Sequence, residues 1–326
     1  MKKPLAMTMA ALAMLSACAS GKGSSDSGVS PVSVSETAVL TPAPFDADSA
    51  YAYVQRQVDF GPRVPNTPAH KAAGKWLASE LARHGAKVTL QPASLTAFDG
   101  TRLDALNILG SYNPELTDRI LLVAHWDTRP WADNDPNPVY HTKPVDGAND
   151  GASGVGVLLE IARQLGKAAP SVGVDILFVD AEDWGTYDNE ESWALGSRHF
   201  ALNPPDGFIP PRYGILLDMV GGQNATFLRE QYSGYYAPEL VDAIWNLGSS
   251  LGYGSRFVNK MGGAVTDDHL DFIRAGIPMI DIIEFDTSHG FNPRWHTVSD
   301  NMDGIDRESL GAVGTTVLTW LYNPQL

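Results

Sequence analysis

The chain reads as α/β, a single domain with a mixed, mostly parallel central β-sheet flanked by helices on both faces. Three observations predict it. Short apolar runs of strand length (Arg119–Ala124, Val174–Val179, Tyr213–Leu217 and Ile277–Ile283) alternate with longer helical stretches, the pattern of a sheet covered by helices. Ionisable residues follow directly on the first three of these runs, and ligands gather at the carboxyl ends of strands in such sheets. Two earlier runs, Lys87–Phe98 and Leu103–Ser111, flank Asp99-Gly100; they read as an antiparallel hairpin, which makes the sheet mixed rather than purely parallel.

Taken in order, the chain opens on a targeting segment. Lys2 and Lys3 precede an apolar stretch, Pro4–Met14, too short to span a bilayer as a helix. Leu15-Ser16-Ala17-Cys18 then resembles the lipobox of bacterial lipoproteins. The resemblance implies cleavage before Cys18 and a lipid on it, so residues 1–18 are the expected signal peptide. Ala19 rather than Asp follows the cysteine, which resembles the outer-membrane sorting pattern; the expected location is the outer membrane, facing the periplasm. Cys18 is the only cysteine, so no intramolecular disulfide is possible. Residues 19–45 are an expected flexible tether: the stretch Ala19–Pro44 is rich in Ser, Gly, Ala, Thr, Val and Pro, lacks any aromatic, and cannot bury enough apolar area to offset its ordering entropy.

The folded body is residues 46–326, with no internal repeat. Thr67-Pro68 supplies an N-cap and a first-turn proline for a helix reaching about His84, with Trp76, Leu77, Leu81 and Ala82 on its apolar face. Gly151–Gly166 is a buried helix through Val155, Leu158, Leu159 and Ile161-Ala162. Pro238–Leu251, Asp268–Ala275 and Asp306–Tyr322 read as further helices. Hydrophobic content of 44% with 19% charged residues is ordinary for a globular protein. A net charge of −15 argues against nucleic acid as a partner, since phosphate binding needs a basic surface.

The chemistry lies in five clusters: His125 with Asp127 (AHWDT), Asp150 (GANDGASG), Glu182-Asp183 (FVDAEDW), Asp218 (LLDMVGG) and His296 (RWHTVSDN). Imidazole and carboxylate without thiolate suit a catalytic zinc site. A carboxylate pair such as Glu182-Asp183 is ordinarily a solvated surface feature. Here it follows the apolar Ile176–Val179, where ionisable groups are costly unless something binds them.

The ordered series resembles the zinc aminopeptidase superfamily and its offshoot, the glutaminyl cyclases. Phe60–Thr67, Gly147–Gly154, Leu195–His199 and Trp295-His296-Thr297 are similar to segments of the bacterial-type cyclases. The resemblance implies that Asp150, Asp183 and His296 hold one zinc per chain and that Glu182 is the general acid/base. Asp183 departs from the glutamate of aminopeptidases and animal cyclases, a substitution that bacterial-type cyclases share. His125, Asp150 and Asp218 match the second-metal ligands of two-metal aminopeptidases, so peptide hydrolysis stays open as the alternative. Asp267 and Trp295 match cyclase pocket residues, although an Asp there also serves as a helix N-cap and a Trp as packing. Trp193, or else Trp184, is the expected indole wall for a small amide. Asp218 and Asp267 are expected to share a hydrogen-bonded network. The implied activity is glutaminyl-peptide cyclotransfer on peptide or protein N-termini bearing glutamine, releasing ammonia; the least favoured reading is a non-catalytic binding module of the same fold. His199 and His269 read as core histidines. His70, His84, His141 and His289 offer no partner, and the loop Pro130–Pro144 is a candidate to overhang the cleft.

Overall fold

The structure, a computed structural model, describes residues 42–324. The expected signal peptide, Cys18 and residues 19–41 of the expected tether lie outside the described residues. Phe45, the tether's last expected position, already packs against the main core.

Among the described residues the elements run α1 (Ala47–Val58), α2 (Pro68–Arg83), β1 (Lys87–Thr96), β2 (Arg102–Tyr112), β3 (Arg119–His125), α3 (Ala152–Leu165), β4 (Gly173–Val179), α4 (Leu195–Leu202) and β5 (Tyr213–Asp218). They continue with β6 (Phe227–Arg229), α5 (Gln231–Tyr236), α6 (Pro238–Gly248), β7 (Phe257–Met261), α7 (His269–Arg274), β8 (Met279–Ile283), β9 (Phe285–Asp286), β10 (Gly290–Phe291) and α8 (Arg307–Tyr322). Six strands form one sheet in the order β1-β2-β4-β3-β5-β8. β1 and β2 pair antiparallel, β2 joins β4 antiparallel, and β4, β3, β5 and β8 are mutually parallel. The sheet is therefore mixed, with its antiparallel hairpin at one edge.

Alternation along the strands sorts the side chains into two cores. Ile120, Leu122 and Ala124 of β3 face a large core shared with α1, α2, α3, α6 and α8. Leu121 and Val123 face a smaller one closed by Phe200 of α4 and Phe272 of α7. Both faces of the sheet are thus covered, and β3 and β4 are buried along their whole length.

Local chemistry explains the boundaries. Thr67 caps α2 by accepting from the His70 N–H at 3.2 Å, with Pro68 in the first turn. Asp306 caps α8 through the Glu308 N–H at 3.0 Å. α6 runs to Gly248 and continues as a π-helical turn over Ser249–Tyr253, taking in the expected end at Leu251; within that turn Gly252 redirects the chain with φ at 93°. Helices α1 and α5 and the short pairs β6/β7 and β9/β10 were not expected from the sequence. α1 buries Ala50, Val54 and Gln57 at helical spacing, with Tyr51, Tyr53 and Val58 packed beside them; an alanine and a glutamine on that face weaken its apolar signal.

One glycine fixes where α3 lies. A Cβ on Gly154 would stand 2.0 Å from the Leu217 carbonyl oxygen of β5. Any side chain there would lever α3 off the sheet and move the loop that carries Asp150. Because β4, β3 and β5 run parallel, His125, Glu182-Asp183 and Asp218 emerge together at the carboxyl ends of the strands.

Candidate active site

His125 and Asp218 end β3 and β5, Glu182-Asp183 lie just beyond β4, and Asp150 and His296 sit on loops before α3 and after β10. Beyond β4, Asp180 accepts from the Leu106 N–H at 2.6 Å and the Ala181 N–H at 2.7 Å, and His70 Nε2 lies 2.9 Å from both its oxygens. His70, which offered no partner in the sequence, therefore anchors this loop. Ala181 takes a left-handed conformation, φ 56°. The two N–H groups that follow, of Glu182 and Asp183, donate to the Asp127 carboxylate at 3.1 and 3.2 Å. This turn aims both consecutive carboxylates into one cleft.

The Asp150 loop is braced from below. Asp300 accepts from the Asn149 and Asp150 N–H groups at 2.8 and 3.1 Å. The buried Arg63 guanidinium donates to the carbonyls of Trp126, Asp146 and Gly147 at 3.1, 2.7 and 2.7 Å. Burial lowers Arg63 to about 10, against the pull of Asp300 and Asp127, so it stays charged at neutral pH. His296, itself left-handed with φ 56°, is steered from behind: the Tyr187 hydroxyl lies 2.7 Å from its Nδ1.

These supports bring five side chains together. His296 Nε2 stands 3.1 Å from Asp183 Oδ1 and 3.5 Å from Asp150 Oδ2. His125 Nε2 stands 2.9 Å from Asp150 Oδ1 and 3.2 Å from Asp218 Oδ1. Two buried clusters with the spacing of metal ligands result, Asp150–Asp183–His296 and His125–Asp150–Asp218, joined through Asp150. The first fits a zinc ion on its own evidence. Asp183 Oδ1 is buried without a hydrogen-bond donor, and the donor spacings bracket the ~3.3 Å edge of a tetrahedron with ligands ~2 Å from the ion.

The electrostatics are those of a site short of positive charge. Burial pushes Glu182 well above the usual carboxyl range; His125 opposes this, and Asp183, Asp268 and Asp267 add to it. Burial likewise raises Asp183, with Asp150 reinforcing it, and Asp218, against the His125 hydrogen bond. Burial lifts Asp267 to about 7, helped by Asp218. His125 goes the other way: burial disfavours its charge, but Asp127, Asp150 and Asp218 outweigh that and hold it well above the ordinary imidazole value.

A cleft of about 300 Å³ opens over these groups, lined by Glu182, Asp218, Asp267, Trp193, Trp295 and His296, with Tyr187, Glu190 and Phe291. Trp193 stacks on His296 with centroids 5.8 Å apart, and Trp295 stacks at 3.9 Å. Trp184 packs against Trp131 instead, at 5.7 Å, and does not line the cleft. The Pro130–Pro144 loop does not line the cleft either; its Asn134 N–H donates to the His296 carbonyl at 3.1 Å and so braces that segment. His269 is buried 3.4 Å from Glu230, His84 meets the Tyr53 hydroxyl at 2.8 Å, His141 Nε2 lies 2.7 Å from the Asp135 carbonyl, and His289 is exposed.

Sequence reasoning passed over Arg63, Asp300, Tyr187 and Arg129. Arg129 is buried, paired with Asp133 at 2.6 Å, and donates to the Asp183 carbonyl at 3.0 Å while lying over Trp193. A buried arginine beside a ligand-type loop is legible only once tertiary neighbours are known. Nothing in the spacing of Tyr187 marked it.

The family model of peptidase family M28 matches residues 107–321. A glutaminyl cyclase of Bacteroides thetaiotaomicron, solved as a crystal structure, is 54% identical, with 87% of this chain and 100% of that one covered and a TM-score of 0.85. A Zn-dependent exopeptidase of Parabacteroides distasonis is 56% identical over 86% of this chain and 99% of its own, with a TM-score of 0.84. The glutaminyl-peptide cyclotransferase of Bos taurus is 27% identical over 237 residues, 63% of this chain, and the match spans 62% of that protein's length. These relatives imply zinc, in agreement with the donor set. The chain is accordingly a member of peptidase family M28 and, within it, of the group that holds the bacterial glutaminyl cyclases.

Proposed function

We propose that the protein is a glutaminyl-peptide cyclotransferase, converting the N-terminal glutamine of peptides or proteins to pyroglutamate with release of ammonia. The observation that carries this is the cleft itself. Glu182 and Asp267 face a space walled by Trp193 and Trp295 and set beside the Asp150–Asp183–His296 donors. Rigid indole faces exclude water and suit a small neutral carboxamide side chain.

Asp150, Asp183 and His296 would hold one zinc ion, which supplies Lewis acidity toward the carboxamide carbonyl and a charge that draws Glu182 back toward ionisation. Trp193 and Trp295 orient the glutamine side chain against that centre. Amine and carboxamide belong to one residue, so holding it in a cyclic conformation supplies most of the proximity advantage. The α-amine nitrogen attacks the side-chain carboxamide carbon and closes a five-membered ring. Glu182 accepts the proton that the amine sheds and returns it to the departing nitrogen, which leaves as ammonia. Asp218 and Asp267 face the amine and orient it through hydrogen bonds. A lipid on Cys18 would hold this domain at the outer membrane, facing the periplasm.

The second reading, a two-metal aminopeptidase, is favoured by one observation: the His125–Asp150–Asp218 cluster is complete. Glutaminyl peptides and alanyl or leucyl peptides, offered side by side, separate the two. Ammonia release from glutamine alone, with peptide bonds intact and about one zinc per chain, is the expected result. Cleavage of alanyl peptides with about two zincs would replace the cyclase reading by the hydrolase.

A further inference from the structure

Strand β8 reads Met-Ile-Asp-Ile-Ile, and its one polar side chain, Asp281, is fully buried behind the cleft. Its backbone N–H is taken by the Ser233 Oγ at 2.9 Å, yet neither carboxyl oxygen receives a hydrogen bond from any N–H or O–H group. Asp267 Oδ2 is in the same condition, while its Oδ1 accepts from the Asp268 N–H at 2.6 Å. The two carboxyl groups lie within hydrogen-bonding reach of each other.

The other charged groups around them leave the pair to itself. His269 of α7 keeps its Nδ1 3.9 Å from Asp281 Oδ2, too far for a hydrogen bond. Glu230, before α5, is saturated: it accepts from the N–H groups of Tyr232, Ser233 and Val265 and from the Ser233 hydroxyl. Asp268 faces Ser197, whose hydroxyl it accepts at 2.5 Å. Asp218 at the end of β5 adds only like charge. Three of the four oxygens of these neighbouring buried carboxyl groups have no donor, and like charges so placed are costly to ionise together, which favours one proton held between them. Asp267 has a backbone N–H on its other oxygen and borders the cleft, which favours its charged form. Asp281 has neither.

We infer that Asp281 is a positioning residue: as a neutral carboxylic acid it donates a hydrogen bond to Asp267 and fixes that carboxylate where it meets the substrate amine. Burial independently pushes Asp281 well above the usual carboxyl range, with Asp267, Glu230 and Asp218 adding to it. The assignment to the amine rests on the cyclase reading; the proton's place between the two carboxyls does not.

Two variants of the full-length, zinc-loaded protein test it. Asp281→Asn keeps a donor without a titratable proton, and Asp281→Leu keeps apolar volume without a donor. An infrared difference spectrum at neutral pH, parent minus Asp281→Asn, should show the carbonyl stretch of a protonated acid; its absence overturns the inference whatever the activity. With a glutaminyl peptide, Asp281→Leu should lose roughly 10- to 100-fold in kcat, the worth of a hydrogen bond to a charged group. KM should stay within about twofold, since the interaction orients rather than binds. Asp281→Asn should recover roughly tenfold over Asp281→Leu through its amide donor. Parent-level turnover in Asp281→Leu, or equal losses in both variants, overturns the inference. A parent protein that cyclises no glutaminyl peptide sinks the cyclase reading instead, and the infrared band still decides where the proton sits.

Discussion

Tyr187→Phe removes one atom from the site and isolates what that atom does. The Tyr187 hydroxyl stands 2.7 Å from His296 Nδ1, and the next acceptor, Asp133 Oδ1, is 3.8 Å away. Burial pushes the phenol above its ordinary value, so it stays neutral across the working pH range and its oxygen accepts the imidazole proton. Without that oxygen, a buried N–H loses its acceptor, at a cost of about 1–3 kcal/mol. The same range follows from metal chemistry, where losing the outer hydrogen bond of a ligating histidine weakens metal binding or activity roughly 10- to 100-fold. The Phe ring keeps the contacts of the parent ring with Trp193 and Trp295, at 5.6 and 6.0 Å. Zinc affinity, measured by competition with a chelator, should therefore fall by that factor while KM for a glutaminyl peptide moves by less than about twofold. Unchanged zinc affinity, or a rise in KM as large as the loss in affinity, would refute the steering role of the hydroxyl.

Glu182→Gln should lower ammonia release roughly 10²- to 10⁴-fold, the usual worth of a general acid/base, while bound zinc measured by elemental analysis stays at the parent level; a variant keeping a tenth of parent turnover would remove Glu182 from its role. Arg63→Met strips three buried carbonyls of their donor, costing about 3–5 kcal/mol. At roughly 2–4 °C per kcal/mol for a domain of this size, calorimetry should show Tm lower by about 10 °C, and an unchanged Tm would show that those carbonyls find other donors. Chelator-treated protein should lose stability as pH rises from about 4 to about 7. Asp267 and Asp300 are raised to about 7 in the fold against roughly 4 in the unfolded chain. The native state therefore holds protons that the unfolded state has released, and it pays for losing them as pH climbs through that window. Urea midpoints that rise over this range in the chelated protein would contradict the assigned burial of these carboxyls.

The fold was legible because its strongest signals are local. β3, β4, β5 and β8 are short apolar runs with ionisable residues at or just beyond their ends, and the hairpin announced itself through Asp99-Gly100. α1 was not legible, since its buried stripe includes Gln57, whose amide donates to the Ala152 carbonyl at 3.0 Å; a polar residue satisfied by a partner 95 positions away carries no periodic signal. In the site, ligand-type residues were legible by kind and order. Their supports were not, because Arg63, Asp300, His70 and Tyr187 act on partners more than 60 residues distant in sequence.

What the sequence hid most completely is the backbone. Ala181, Met219 and His296 all adopt left-handed conformations, with φ of 56°, 47° and 56°, and none is glycine, the residue that would have marked such a turn. Each sits at, or next to, a residue that faces the metal-type clusters. A non-glycine residue held this way costs about 1–3 kcal/mol, so neighbouring bonds must fix it. At Ala181 these are the Asp180 and Asp127 carboxylates. Beyond Met219, the Val220 and Gly221 N–H groups donate to the Ser153 hydroxyl and the Asn149 side chain at 3.0 and 2.8 Å, tying the Asp218 loop to the loop that carries Asp150. At His296 it is the Asn134 N–H. Without the turn at Ala181, Glu182 and Asp183 would alternate to opposite sides as in a strand, and no single cleft could hold both carboxylates from adjacent positions. The buried polar network under the site is therefore what converts a strand end into a catalytic arrangement, and stability and chemistry are here carried by the same hydrogen bonds.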